Sequence, residues 1–233
     1  MRIRSFVIAY GLVLAILLFA DRRPGLTQHD RYSHVLDLTD GQDRAAATVA
    51  ATESRTHIIA PGALIPGTWS AGQIPPERLV APLVVMDLSP AINQGSPKGS
   101  SPISLDDIAA WESRHGMIPQ GAVIAIRRPG AADESATNDL SVADLPTAPF
   151  PVTRDAAMFL VEARYTIGFA VETPVTLAAD RALAQQLALH GSYVVEGTAR
   201  FTSLPVTGSL IIVAPARSNT AGTVPVRILA MVR

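Results

Sequence analysis

Two continuous apolar runs, Leu79–Leu88 (LVAPLVVMDL) and Gly121–Ile126 (GAVIAI), constrain the interior this chain must build. Short apolar runs rich in β-branched residues read as buried strands. Between them, Ser104 stands as a helix N-cap with Asp107 three residues later in a capping-box position. The helix it opens carries Ile108, Ala109 and Trp111, and Gly116 ends it. Two more helices are expected, one over Thr153–Ala163 with Ala156, Ala157, Phe159, Leu160 and Val161 inward, and one over Ala178–His190. Further strands are expected at Val35–Leu38, Ile167–Val171, Tyr193–Val195, Ser209–Ala214 and Val226–Val232. Asn93–Pro102 and the Pro-, Ala-, Asp- and Ser-rich stretch Arg128–Pro151 read as loops, the second a long surface loop. Strands and helices alternate without a strict βαβ rhythm, and no G-x-G-x-x-G follows a strand, so a Rossmann dinucleotide site is excluded.

The length of 233 residues suits one domain with a full hydrophobic core. Nineteen basic and twenty acidic residues, scattered without long runs, give a formal net charge of −1 and no electrostatic footprint for nucleic acid. The N-terminus joins a basic Met1-Arg2-Ile3-Arg4 to the apolar run Ser5–Ala20, the outline of an export signal. A bilayer span needs roughly 20 apolar residues, and Leu18 stands where a small residue usually precedes cleavage. A cleaved signal peptide, a retained membrane anchor and a buried N-terminal helix therefore all stay open for residues 1–20. The first two put the globular part outside the cytoplasm, periplasmic or extracellular, touching a membrane only through this segment. Residues 21–32, broken by Arg22-Arg23-Pro24-Gly25, read as a linker, and residues 33–233 as the domain. The absence of cysteine removes disulfides, thiolate metal sites and a Cys nucleophile together.

Residues 53–78 read ESRTHIIAPGALIPGTWSAGQIPPER. The steps Thr56-His57, Ala60-Pro61 and Gly67-Thr68-Trp69, followed by Gln73-Ile74-Pro75-Pro76-Glu77-Arg78-Leu79, resemble the cyclase family. These are metal-dependent amide hydrolases that include bacterial kynurenine formamidase, with a ligand loop of roughly His-x-x-x-His-x-Asp-x-Pro-x-His. In that register the chain offers Glu53, His57, Ile59, Pro61 and Ala63. Divalent cations of this class take imidazole and carboxylate donors, and Ile59 can donate nothing. Ala63, at the place of the third family histidine, has no proton to move.

The second half of the family's site is a histidine followed by a glutamate. Here Asp180-Arg181-Ala182-Leu183 precedes His190-Gly191-Ser192-Tyr193-Val194-Val195-Glu196-Gly197. Glu196 falls on the family glutamate and Asp180 in the region of the histidine. Pro215, Pro225 and Arg227 keep the frame of a C-terminal loop that has lost most of its glycines. Arg127 begins what would be the family's Arg-Thr-Gly-Trp segment, and the match ends there. The resemblance covers Ser33 to the end and implies an α/β fold: a single swivelling β/β/α domain with a mixed sheet, usually homo-oligomeric.

Two functions compete. In one, an exported cyclase-like protein has lost or weakened its metal-dependent amide or lactone hydrolysis, leaving a pocket for a small carboxylate or amide ligand, or a scaffold surface, and no cofactor. In the other, Glu53, His57, Asp180 and Glu196 together hold a divalent metal, Mn²⁺ or Zn²⁺, the three carboxylates favouring Mn²⁺ or Mg²⁺, and a metal-bound water attacks the carbonyl. Trp69, Ile59 and Ala63 are the candidate pocket residues. The bland alternatives are a core role for Trp69, an arginine partner such as Arg181 or Arg200 for Glu196, and solvent-exposed acids at Glu53 and Asp180. No G-x-S-x-G, H-E-x-x-H or Walker sequence occurs, and His29, His34, His57, His115 and His190 form no ligand pattern.

Overall fold

The computed structural model describes residues 32–39, 56–88, 101–127, 148–172, 175–198, 201–217 and 222–233. Its elements all fall within a compact unit, His34–Arg233. Ten strands are described: β1 (His34–Asp37), β2 (His57–Ile59), β3 (Val80–Asp87), β4 (Val123–Arg127), β5 (Ala148–Pro149), β6 (Gly168–Val171), β7 (Val175–Thr176), β8 (Tyr193–Glu196), β9 (Ser209–Pro215) and β10 (Val224–Val232). The helices are α1 (Pro61–Leu64), α2 (Leu105–His115), α3 (Arg154–Ala163) and α4 (Arg181–Leu189), with short 3-10 turns between.

The mixed sheet implied by the resemblance is present, and it closes on itself. Its order runs β10-β2-β8-β6-β4-β3-β9, and β9 pairs back onto β10, making a seven-stranded barrel. Strands β3, β4, β6 and β8 are mutually parallel; the remaining barrel contacts are antiparallel. β1 and β2 share one flank of β10, β1 against Leu229–Val232 and β2 against Val224 and Pro225. They lie end to end along it; residues 40–55, between them in sequence, lie outside the described residues.

The parallel strands are apolar along their whole length because both faces are covered. Leu83 and Val85 of β3 join Ala125, Ala170, Val195, Ile58, Ile211 and Ile228 inside the barrel. Val84 and Met86, with Ile124, Ile126, Phe169 and Val194, face outward under the helices. α2 forms as its sequence dictates: Ser104 Oγ accepts from Asp107 N–H, Asp107 caps Ser104 N–H in return, and Ile108 and Trp111 are buried. Thr153 caps α3, which buries Ala156, Ala157, Leu160 and Val161. Phe159, expected inward, is partly buried at the rim, with the Arg164 guanidinium 4.7 Å from its ring centroid. The segment expected to be helical from Ala178 begins instead as a 3-10 turn, Leu177–Asp180, and becomes α4 at Arg181, where the Asp180 side chain caps it. At the end of the Arg128–Pro151 loop, Ala148–Pro149 pairs with Val175–Thr176.

Among the described residues no helix is long and apolar enough to cross a membrane; the apolar run 5–20 lies outside them.

Gly168 opens β6 beside the fully buried Tyr193, whose ring occupies the volume a Cβ would need. Tyr193 Oη donates to Arg78 O at 2.9 Å, which fixes the ring and leaves it no room to move aside. Gly168→Ala should therefore lower stability by about 1–3 kcal/mol, the range for overpacking, read from urea denaturation. An unchanged midpoint would mean that the ring yields.

Candidate functional site

The site grows from the break between β1 and β2. Thr39 bridges to Thr198, Thr56 O accepts from Val226 N–H at 3.2 Å, and Thr56 Oγ1 donates to Gly197 O at 2.6 Å. This sets the register of β2 on β8, with His57 directly opposite Glu196, Ile58 opposite Val195 and Ile59 opposite Val194. Side chains alternate across a strand, so with Ile58 in the barrel, His57 and Ile59 project from the outer face, as does Glu196.

There His57 Nε2 meets Glu196 Oε2 at 2.8 Å, the side chains 15% and 4% exposed. The other carboxylate oxygen, Oε1, accepts from Val175 N–H at 2.9 Å. A carboxylate taken out of water needs a counter-charge or donors. Glu196 has both an imidazole and a backbone amide; of the arginines expected as its partner, Arg181 supplies neither and Arg200 lies outside the described residues. An ionised carboxylate only accepts, so Nε2 carries the shared proton.

The other candidates scatter. Ile59, where the family has a ligand carboxylate, packs against the core beneath the helices. Ala63 sits partly buried in the single turn of α1, its N–H bonded to Ala60 O at 2.9 Å. Asp180 receives Arg154 through two bonds, 3.1 and 2.7 Å, and also accepts from Leu183 N–H. The Arg154 hydrogen bonds, followed by the Leu183 amide, hold its carboxyl below the usual carboxylate range. Glu53 lies outside the described residues.

Trp69 is neither a core residue nor a neighbour of the pair. It is 38% exposed and lies over Gly191, where a Cβ would come within 2.8 Å of its ring, with the Arg78 guanidinium 5.5 Å from the ring centroid. Gly191 precedes β8 and Glu196 ends it, so at about 3.3 Å per residue roughly 16 Å of backbone separates the glycine under Trp69 from Glu196.

One further charged pair went unforeseen. Asp87 and Arg127, in register at the ends of β3 and β4, form an ion pair with Nη2–Oδ2 at 2.9 Å. Arg127 Nη1 also donates to Phe201 O at 3.3 Å, and the Asp87 hydrogen bond raises the guanidinium's pKa. The available signal was that each apolar run closes on a charge of opposite sign.

Structural zinc takes four ligands and catalytic zinc three plus water. Among the described residues no group of three or more His, Asp or Glu side chains is placed to hold a cation. His57 Nε2 and both Glu196 oxygens are engaged with protein partners. The described donor set does not fit a divalent metal.

Comparison with known proteins agrees with the fold. The Cyclase family model, described as "Putative cyclase", matches residues 20–176. Isatin hydrolase A from Labrenzia aggregata, solved with benzyl benzoate, is similar at 25% identity and TM-score 0.67, over 92% of this chain and 99% of that one. Isatin hydrolase A from Ralstonia solanacearum shares the fold at 23% identity and TM-score 0.67, over 96% and 97%. A structure titled as a potential metal-dependent hydrolase with cyclase activity shares it at 22% identity and TM-score 0.60, over 86% and 98%. No curated protein matches the chain.

Removing one member of a buried pair strands the other. Glu196→Ala, which leaves the His57 imidazole and the Val175 amide without their acceptor, should cost about 3–5 kcal/mol in urea denaturation. Glu196→Gln, which keeps an acceptor oxygen, should cost less. A loss below about 1 kcal/mol for the alanine variant, the level of an exposed ion pair, would contradict the burial of this pair.

Proposed function

The chain belongs to the cyclase family, and we propose that it is a member in which metal-dependent hydrolysis has been lost, leaving a scaffold or small-ligand-binding domain. One observation carries this reading. The two residues that keep the family's ligand type in place, His57 and Glu196, are bonded to each other at 2.8 Å, with the second Glu196 oxygen held by Val175 N–H.

A ligand histidine needs a free ring nitrogen lone pair aimed at the cation, and a ligand carboxylate needs an oxygen to spare. Here Nε2 is turned to the carboxylate and both carboxylate oxygens are engaged. Ile59 adds a hydrophobe on the same strand face, where a charged ligand would be required. Without a cation, every carboxylate left in such a site costs desolvation energy. The His57–Glu196 bond offsets that cost for the glutamate that remains.

The basic N-terminal tetrad and the apolar run 5–20 support export, periplasmic or extracellular, with the segment either cleaved or kept as an anchor. The family resemblance supports self-association.

The deciding experiment is titration of the full-length protein with Mn²⁺ and Zn²⁺ by calorimetry and elemental analysis, beside a His57→Ala control and an assay of isatin ring opening. The expected result is no stoichiometric binding beyond the control and no acceleration of hydrolysis by added metal. Stoichiometric binding that vanishes in His57→Ala, with metal-dependent turnover, would establish the active hydrolase instead, with Glu53 the first additional ligand to test.

A further inference from the structure

The helices cover one side of the barrel wall and leave another bare. Over β4, β6, β8 and the second half of β3, the outward residues Val84, Met86, Ile124, Phe169 and Val194 lie in the cluster beneath the helices. Along β9 and β10 burial alternates instead, with Ile211, Val213, Ile228 and Ala230 inside the barrel and their sequence neighbours turned out.

An antiparallel sheet that faces water on one side presents polar residues there. This one presents mostly apolar residues, and the register sets them in two cross-strand rows. One row runs Val35–Met231–Leu210–Pro82, the next Asp37–Leu229–Ile212–Val80. All but Asp37 are apolar, and among the described residues neither core cluster takes any of them in. Val35 is 61% exposed and Val80 50%, at opposite corners, and the five between them are partly exposed. The charges of the face cancel: Asp37 Oδ2 pairs with Nη2 of Arg227, the outward residue before Leu229 on β10, at 3.1 Å. With strands about 4.8 Å apart and about 3.3 Å per residue, the two rows cover roughly 250 Å². That is enough for the apolar centre of an interface of about 800 Å² a side, with a polar rim around it.

We infer that this face packs against the same face of a second copy of the chain, the two sheets stacked about a two-fold axis. An apolar face without net charge meets its own image with no like-charge repulsion, and Asp37 and Arg227 at its margin offer both signs to the partner. A bilayer surface would call for free basic side chains and for Trp or Tyr at the boundary, and the rows hold neither. The inference stands whether or not His57 and Glu196 bind a metal, because neither residue belongs to these strands.

Sedimentation velocity of the full-length chain at about 1 and about 100 μM, the range of a modest interface, reads the association directly. The expected result is a dimer at the higher concentration. Leu229→Glu, which places two carboxylates in the contact, should weaken it at least tenfold. Val35→Glu, at an exposed corner where folding is not at stake, should weaken it by a smaller factor. Leu189→Glu, at the end of α4 and 66% exposed, should leave it unchanged. The chain has no cysteine, so Ile212→Cys carries its only thiol, and maleimide should label it more slowly at the higher concentration. A monomer at the higher concentration, or a dimer that both patch variants leave intact, would overturn the inference. So would vesicle binding lost in Leu229→Glu while the unaltered chain stays monomeric, which would assign the face to a bilayer.

Discussion

The barrel closes through a strand of three residues. β2 is bonded on one side to β10 and on the other to β8, and among the described residues no other strand joins β8 to the β9–β10 hairpin. Such a strand contributes few ladder bonds, so its neighbours carry part of the closure. Thr56 ties to Gly197 and Val226 just before it, and Ile58 is completely buried within it. His57 therefore stands at the narrowest link in the barrel wall, and its bond to Glu196 ties β2 to β8 through side chains as well as backbone.

On the reading proposed above, that placement gives the histidine and the glutamate a structural role that needs no cation. Truncating either would remove a cross-strand contact at the closure, and truncating His57 would also leave a buried carboxylate short of donors. Replacement of a ligand carboxylate by Ile59 fits the same logic. With no cation on this face, an isoleucine packed under the helices stabilises the wall, whereas a second carboxylate beside Glu196 would repel it. Ile59 accordingly lies against the outer apolar cluster.

Much of the fold was legible because its signals are local. The Ser104–Asp107 cap, the helix stop at Gly116 and the apolar strands β3 and β4 follow from adjacent residues, and the structure has them with shifts of one or two positions. Barrel closure was not legible, because strand order depends on pairings between distant segments that periodicity does not encode. The partner of Glu196 was illegible for the same reason: Arg181 and Arg200 lie near it in sequence, whereas the His57 contact is set by the register of β2 on β8. Asp180 and Trp69 show the complementary limit. A family register can align a residue with a site while a helix cap or a neighbouring glycine claims its side chain, as the Leu183 amide does for Asp180 and Gly191 for Trp69.

The measurement that bears most directly on the lost-metal account is a proton–nitrogen correlation spectrum of the His57 imidazole, assigned with a His57→Gln variant and recorded with and without zinc. The account requires a proton on Nε2, held by Glu196, and ring nitrogen shifts that stay in place when zinc is added. Displacement of that proton, with Nε2 moving to the shift of a metal-bound nitrogen at stoichiometric zinc, would show that the pair opens to take a cation and would contradict it.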